Sequence, residues 1–278
     1  MSQHRKLKCL AVPLMLCFLA LYVLSFILAI RYSVLESAFS PRFVGLENYQ
    51  TVLTNAYFQL AVQNTLLFLS VGVPCLVLLS LALALSLNSL GDRFRLLRAA
   101  FILPMLIPSA AVIPIFAGLF IQDGGLMQRG LNAIGVSSAT IKRLPVLLLY
   151  LWKNCGMNLI LLLSALSAVP VSPLKAAKID GARGSVIFRK ILLPQIMPTV
   201  YFVTVFSIVK GLGIFREVYL LYGAYPDPSV YLLQHYMNNH FAKLNYQYLS
   251  TGATVFAFLL IIVTNLLYRY ERRSGGFA

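Results

Sequence analysis

An all-α integral membrane protein with six transmembrane helices is what this sequence predicts, on three observations. Charged residues are 11% of the 278 and hydrophobic residues 59%, against roughly 25% charged in an average soluble domain. Six stretches are apolar over the roughly 20 residues that a helix needs to cross a hydrocarbon core. Most basic residues flank those stretches, so the formal net charge of +15 reads as an orientation signal rather than a nucleic-acid surface. The length suits one transmembrane domain over residues 1–278 and is too short for a bundle plus a sizeable soluble domain.

The first stretch, Leu10–Ile30, follows the basic start MSQHRKLK as a signal peptide would. It is too long for a signal h-region and no small-residue cleavage site follows, so a retained span is expected. The second, Leu66–Leu87, contains Pro74, and the third, Ala99–Phe120, contains Pro104, Pro108 and Pro114. Each proline removes a backbone donor and kinks its helix. Membrane helices tolerate this where neighbours or an aqueous cavity satisfy the freed carbonyls, so three in one stretch suggest a helix lining a pathway. Pro145–Ala168, Met197–Leu220 and Leu249–Tyr268 complete the set.

An even number of spans puts both termini on one side. Fourteen Lys and Arg lie on that face, including Arg5, Lys6 and Lys8 at the start, Arg93, Arg95 and Arg98 before the third stretch, and five between the fourth and fifth. The opposite face holds seven: Arg31, Arg42, Arg129, Lys142, Arg143, Arg216 and Lys243. The excess predicts that both termini are cytoplasmic. On the outer side, Tyr222 to Tyr248 opens with the turn signal YPDPS. Val230, Leu233, Met237, Phe241 and Leu244 then recur at helical spacing, as in an amphipathic surface helix. That helix would either dock an external partner or cap the bundle.

Several chemistries are missing. Cys9, Cys17, Cys75 and Cys155 show no CxxC spacing and read as small buried hydrophobes. No phosphate-cradling G-x-x-x-x-G-K-[ST] loop occurs. His235 and His240 are five apart, so they do not stack on one helical face for a metal and read as polar surface residues. The eight acidic residues are scattered, and no Asp or Glu is expected deep in any span, whereas an ion-coupled carrier usually keeps ionisable groups there. Energy for transport would then come from elsewhere, an ion gradient or a separate ATPase, and the missing acids speak against the gradient.

Lys153 and Lys210 do fall within spans. Lys153 sits in LWKNCGMN beside Trp152, Asn154 and Asn158. Two amides on one helical face next to an indole suit a neutral polyhydroxyl solute. They equally suit interhelical hydrogen bonding, with the lysine snorkelling to the interface. Snorkelling outward is also the expectation for Lys210.

The most charged segment of the oily chain is LKAAKIDGARGSVIFRKILLP, Leu174 to Pro194. Pro170 and Pro173 end the fourth span, PLKAAKID suits a short helix, and Asp180-Gly181 is a turn signal. SVIFRKILLP suits a second short helix. Ala176, Ala177, Gly181 and Ala182 keep the elbow thin enough to enter a groove on another protein, unless it is an ordinary basic loop on the inner leaflet.

This segment resembles the cytoplasmic coupling motif of binding-protein-dependent ABC importer permeases, usually E-A-A-x-x-D-G-A, then Phe, then I-x-L-P. Ala176, Ala177, Asp180, Gly181, Ala182, Phe188, Ile191, Leu193 and Pro194 match in register, while Lys175 stands at the usual Glu. FVGLENYQTVL, NTLLFLSVGVP, RAAFILPMLIPSAAV and FREVYLL extend the resemblance to the carbohydrate-type members over nearly the whole chain. It implies a permease in a bacterial or archaeal cell membrane, with residues 170–194 as the coupling segment. It also implies a second permease subunit, two ATPase subunits carrying ATP and magnesium, and an external substrate-binding protein. No cofactor and no catalytic residue is expected on this chain. The solute implied is a sugar, oligosaccharide or related polyol; a self-sufficient carrier or channel and a non-transporting scaffold are the rivals.

Overall fold

The computed structural model describes residues 12–13, 15–37, 39, 42–89, 95–121 and 125–273. Arg5, Lys6, Lys8, Cys9, Arg93 and the first residues of the Leu10–Ile30 stretch lie outside them. Every regular element among the described residues is helical, apart from one isolated bridge between Leu35 and Phe43. In chain order they are α1 (Met15–Ser33, with a π-turn at Leu19–Leu24), α2 (Glu47–Thr54), α3 (Ala56–Ser89), α4 (Arg95–Leu106), α5 (Ser109–Phe120), α6 (Leu126–Ala133) and α7 (Ser138–Ala168). After them come α8 (Val171–Ile179), α9 (Gly184–Ile187), α10 (Leu193–Leu212), α11 (Phe215–Tyr222), α12 (Leu233–Ala242) and α13 (Tyr246–Arg273).

Five helical runs are long and apolar enough to cross a membrane: Met15–Ser33, Ala56–Asn88, Ser138–Ala168, Gly184–Tyr222 and Tyr246–Arg269. A sixth candidate is the pair Ala100–Leu106 and Ser109–Phe120, bent by 101°. The bend falls at Ile107–Pro108, where Pro108 takes an extended ψ of 136°. A proline disfavours the helical conformation of the residue before it, so the break sits where the sequence permits no continuous ladder.

The chain divides into two compact units. The first comprises residues 1–61 and 233–261. Here the amide of Asn48 donates to the carbonyls of Ser33 (3.0 Å) and Leu35 (2.7 Å), and the Ser33 and Tyr49 hydroxyls are 2.7 Å apart. These bonds fasten the connection after α1 to α2. No side chain in the apolar window of α1 is buried, as befits a helix whose flank faces acyl chains, which are as apolar as its own leucines. α12 buries Leu233, His235, Tyr236 and Asn239, while Phe241 and Leu244 are exposed. Of the predicted apolar positions Val230 and Leu233 are buried and Met237 is half-buried, so the predicted face coincides with the buried one only at its start. His235 is a buried residue, not the surface residue expected, because the buried stripe runs one position away from the predicted one.

The second unit comprises residues 62–232 and 262–278, and α7 is its axis. Leu149, Tyr150, Asn158, Leu159 and Leu162 are wholly buried along it. Gly156 lets α7 touch the backbone of α4: a Cβ at this position would lie 2.0 Å from the Phe101 carbonyl oxygen. Tyr150 packs edge-to-face on Phe68 of α3, centroids 5.2 Å apart, and its hydroxyl donates to the Ser207 carbonyl of α10 at 2.7 Å. Of the cysteines, Cys155 is buried, but Cys17 and Cys75 are exposed, on the outward apolar flanks of their helices rather than in the core.

One expectation about the charged segment changes. The second short helix is not a separate element, since α9, a π-turn at Phe188–Leu192 and α10 form one continuous helical rod. The widened π-turn ends just before Pro194. Proline can donate no backbone bond and crowds the preceding turn, and a π-turn is one way a helix absorbs that misfit.

Candidate functional site

Two places in the second unit gather the chemistry, one at each end of this rod. The elbow comes first. α8 ends at Asp180, and Gly181 takes φ +75°. The Gly181 amide donates to the Lys178 carbonyl (3.2 Å) and the Ala182 amide to the Ala177 carbonyl (2.9 Å). This paired bonding is a Schellman motif, and glycine supplies its left-handed residue without steric cost. No residue of α8 is buried. Lys175, Ala176 and Asp180 are exposed, Ala177, Ala182, Phe188, Ile191 and Leu193 are half-buried, and Pro194 is exposed. Ile179 is 86% exposed at the apex, the most exposed of the large apolar side chains described. Sequence reasoning passed over it, although one isoleucine between Lys178 and Asp180 is a signal in a segment otherwise charged or small.

The second place is a cavity at the mid-length of α7, where two broken helices meet it. The α4–α5 bend brings Ser109, the first residue of α5, and the break at Gly213–Ile214 brings Arg216 and Glu217 of α11. The Ser109 hydroxyl donates to Glu217 Oε1 at 2.6 Å. Lys153 Nζ donates to Ser109 Oγ and, at 3.2 Å, to the same Glu217 oxygen. Their side chains are 12% (Lys153) and 6% (Glu217) exposed. Arg216 reaches the same groups more loosely, Nη2 lying 3.4 Å from Glu217 Oε1, with its side chain 72% exposed. Burying a charge without a partner costs several kcal/mol, so such groups pair.

Around this pair lie two adjoining cavities of about 340 Å³ each, both lined by Met105, Lys153 and Arg216. Asn154 and Lys210 line one, Ser109 the other. Lys153 therefore does not snorkel, while Lys210 and Arg216 line the cavity and remain exposed. An acid is buried in the fifth span after all. Glu217 escaped notice because it stands beside Arg216 near that span's end and reads in sequence as a boundary residue.

The three residues proposed for the pathway separate. Asn154 lines the cavity, donating one hydrogen bond to the Tyr150 carbonyl (2.8 Å). Asn158 is 0% exposed, and its amide donates to Ser207 Oγ of α10 at 2.8 Å, so it joins two helices. The Trp152 ring lies 6.5 Å from that of Phe116 on α5 and does not line the cavity.

Beyond α11, the YPDPS turn is locked. Asp227 accepts from the backbone amide (3.0 Å) and hydroxyl (2.7 Å) of Ser229 and pairs with Lys142. Those partners, Lys142 above all, hold its carboxyl down to about 2. The amide of Asn64 donates to the Pro228 (2.7 Å) and Tyr231 (3.0 Å) carbonyls, and Arg143 Nε to that of Ser229 (2.9 Å).

Comparison with known proteins places this geometry. The family described as "Binding-protein-dependent transport system inner membrane component" matches residues 76–274. The multiple sugar-binding transport system permease protein MsmF of Streptococcus mutans is 28% identical over 236 residues, covering 81% of this chain and 79% of MsmF. The arabinooligosaccharides transport system permease protein AraP of Halalkalibacterium halodurans is 33% identical over 190 residues, 66% of this chain and 60% of AraP. Among solved structures, a bacterial alginate ABC transporter in complex with an alginate pentasaccharide-bound periplasmic protein has a chain of the same fold. Its TM-score is 0.77 at 20% identity, over 96% of this chain and 94% of that one.

Proposed function

This chain belongs to the family of binding-protein-dependent transport system inner membrane components, and on that premise we propose that it is a permease subunit of an ABC importer. It forms part of the pathway for ATP-driven uptake of a sugar, oligosaccharide or related polyol delivered by an external binding protein. The observation that carries this reading is the rod itself. A bare, basic elbow with an isoleucine at its apex leads through one unbroken helix, Gly184–Leu212, to the polar cavity. At about 1.5 Å per residue that helix is roughly 40 Å long, which suits a stiff lever between a motor and a pathway. The sugar-system names of MsmF and AraP support the solute class.

In the mechanism we infer, Ile179 and the small residues Ala176, Ala177, Gly181 and Ala182 seat in a groove of an ATPase subunit. The basic side chains around them orient the docking. ATP and magnesium are bound on two such ATPase subunits, not on this chain, and their closure moves the elbow. The rod transmits that movement to α11, and the break at Gly213–Ile214 lets α11 turn relative to α10. The cavity wall contributed by Arg216 and Glu217 then shifts against Lys153, exchanging inward for outward access. A second permease, expected to be a different chain, completes the pathway. Both termini lie in the cytoplasm by the basic-residue asymmetry. Lys175 meets an acidic residue on the ATPase where the family's usual Glu would meet a base.

The buried Lys153–Glu217 pair gives the rival carrier a buried carboxylate, the one kind of group that the sequence does not lead one to expect deep in a span. Uptake by this chain and its partner permease from an ion gradient, with no ATPase present, would establish that rival. The direct test is co-purification with the candidate ATPase in detergent. The native chain should retain it, and Gly181→Asp should lose it while staying folded. Lys175→Glu should weaken retention if the partner presents an acid. Failure of the native chain to bind any ATPase that pairs with sister permeases would remove the importer reading.

A further inference from the structure

The charges around the cavity do not balance. Lys153, Lys210 and Arg216 face it, and Glu217 is the single carboxylate among its lining residues. Glu217 Oε1 already serves Ser109, Lys153 and Arg216 at once, so one negative charge is shared by two cations. Lys210 makes no ion pair among the described residues; its ammonium stands 5.1 Å from the centroid of the Phe206 ring. Lys153 is at the sixteenth of the 31 residues of α7, about 22 Å from either end of that helix. Lys153 is buried there with Glu217, whereas Lys210 and Arg216 are exposed; this leaves an excess of two positive charges of the kind that membrane proteins carry where they meet a counter-charge or a permeating species. The amino end of α5, at Ser109 and Ala110, lines the adjoining cavity and adds positive potential.

We propose that this cavity receives the anionic group of a negatively charged carbohydrate, so that the imported solute carries a carboxylate, sulfate or phosphate; the proposal rests on the permease reading above. Arg216 presents the planar fork that binds such oxyanions in pairs of hydrogen bonds, and its exposed side chain is free to swing onto a ligand. Lys210 contributes a mobile point charge across the cavity. Lys153 is held by Glu217 and Ser109, and serves to position the wall rather than to grip. Asn154, whose amide nitrogen is committed to Tyr150, keeps its carbonyl oxygen for a sugar hydroxyl. A neutral solute would leave Lys210 without a counter-charge and Arg216 with only its share of Glu217, which gives the site a means of rejecting it.

The test uses the complete importer, with its partner permease, ATPase and binding protein, in proteoliposomes loaded with ATP. Uptake is measured for four labelled probes of one disaccharide: the neutral form, the uronate, the 6-sulfate and the 6-phosphate. At least one anionic probe should enter tenfold or more faster than the neutral form, and the best arm identifies the anion. The double variant Lys210→Gln/Arg216→Gln should lose that preference tenfold, while Lys210→Arg should keep it within about threefold. Equal uptake of neutral and anionic probes overturns the proposal. So does a preference that survives in the double variant, since selectivity then lies in the binding protein. Loss of the partner permease from the double variant also overturns it, because the cations then answer acids on that subunit. Failure to import any of the four probes, with ATP turnover intact, defeats the carbohydrate reading instead.

Discussion

Glu217 and Lys153 hold each other at a depth where neither is tolerable alone, so their removal should be strongly asymmetric. Glu217→Gln leaves a buried ammonium without its counter-charge and should cost about 3–5 kcal/mol, whereas Lys153→Met combined with Glu217→Leu should recover most of that loss. Thermal unfolding in detergent measures both, and equal midpoints for the single and double variants would show that the pair is not coupled. Asp227 responds to pH instead. Its folded carboxyl is held at about 2 against an ordinary 3.8. The contribution of the Lys142 contact to holding the YPDPS turn is therefore fully present above about pH 4 and disappears as pH falls towards about 2. Pepsin cleavage of that turn should be slower in the native chain than in Asp227→Asn near pH 4, and equal in the two near pH 2. Equal cleavage already near pH 4 would mean that the turn is held by Asn64 and Arg143 without Asp227.

The elbow is an element whose fold and use can be separated. A Cβ at Gly181 meets nothing within 4 Å, so Gly181→Ala should cost only the left-handed backbone, about 1–2 kcal/mol. The change should leave the rest of the bundle intact. Ile179→Asp touches no packed neighbour and should change the unfolding midpoint very little, as exposed substitutions do, within about 0.5 kcal/mol. The same change should reduce retention of the ATPase at least tenfold, because it puts a charge into an apolar groove. A native level of retention in Ile179→Asp would show that the isoleucine is not the docking anchor. Gly156 is the opposite case: its close approach to the Phe101 carbonyl leaves no room for any side chain.

At the scale of the whole molecule, the basic asymmetry and the elbow's proposed docking make a joint demand on orientation. In a chain whose native cysteines are replaced by alanine, Lys178→Cys should react with a membrane-impermeant maleimide only from the cytoplasmic side. Tyr225→Cys, at an exposed position beyond α11, should react only from the other. Labelling of Lys178→Cys only from the outer side, and of Tyr225→Cys only from the cytoplasm, would invert the topology and remove the elbow from the ATPase.

Apolar length, the count of candidate spans, the helix-breaking prolines and the Asp180-Gly181 turn were legible because each depends on residues adjacent in the chain. The matched motif positions were legible for the same reason. The bend after Ile107 was half legible: three prolines marked α4–α5 as interrupted, but not the angle or what the bend brings near. Asn154 and Asn158, four residues apart in sequence, part company only when α10 packs along α7 and takes Ser207 to one of them. Glu217 became a buried partner of Lys153 through a 64-residue separation that no local pattern records. Local propensity and hydropathy are sums over neighbours, so the sequence by itself determined the membrane-spanning, all-helical character and the elbow. The charge pairing, the cavity and the buried face of α12 depend on which helices meet, and tertiary packing alone decided them.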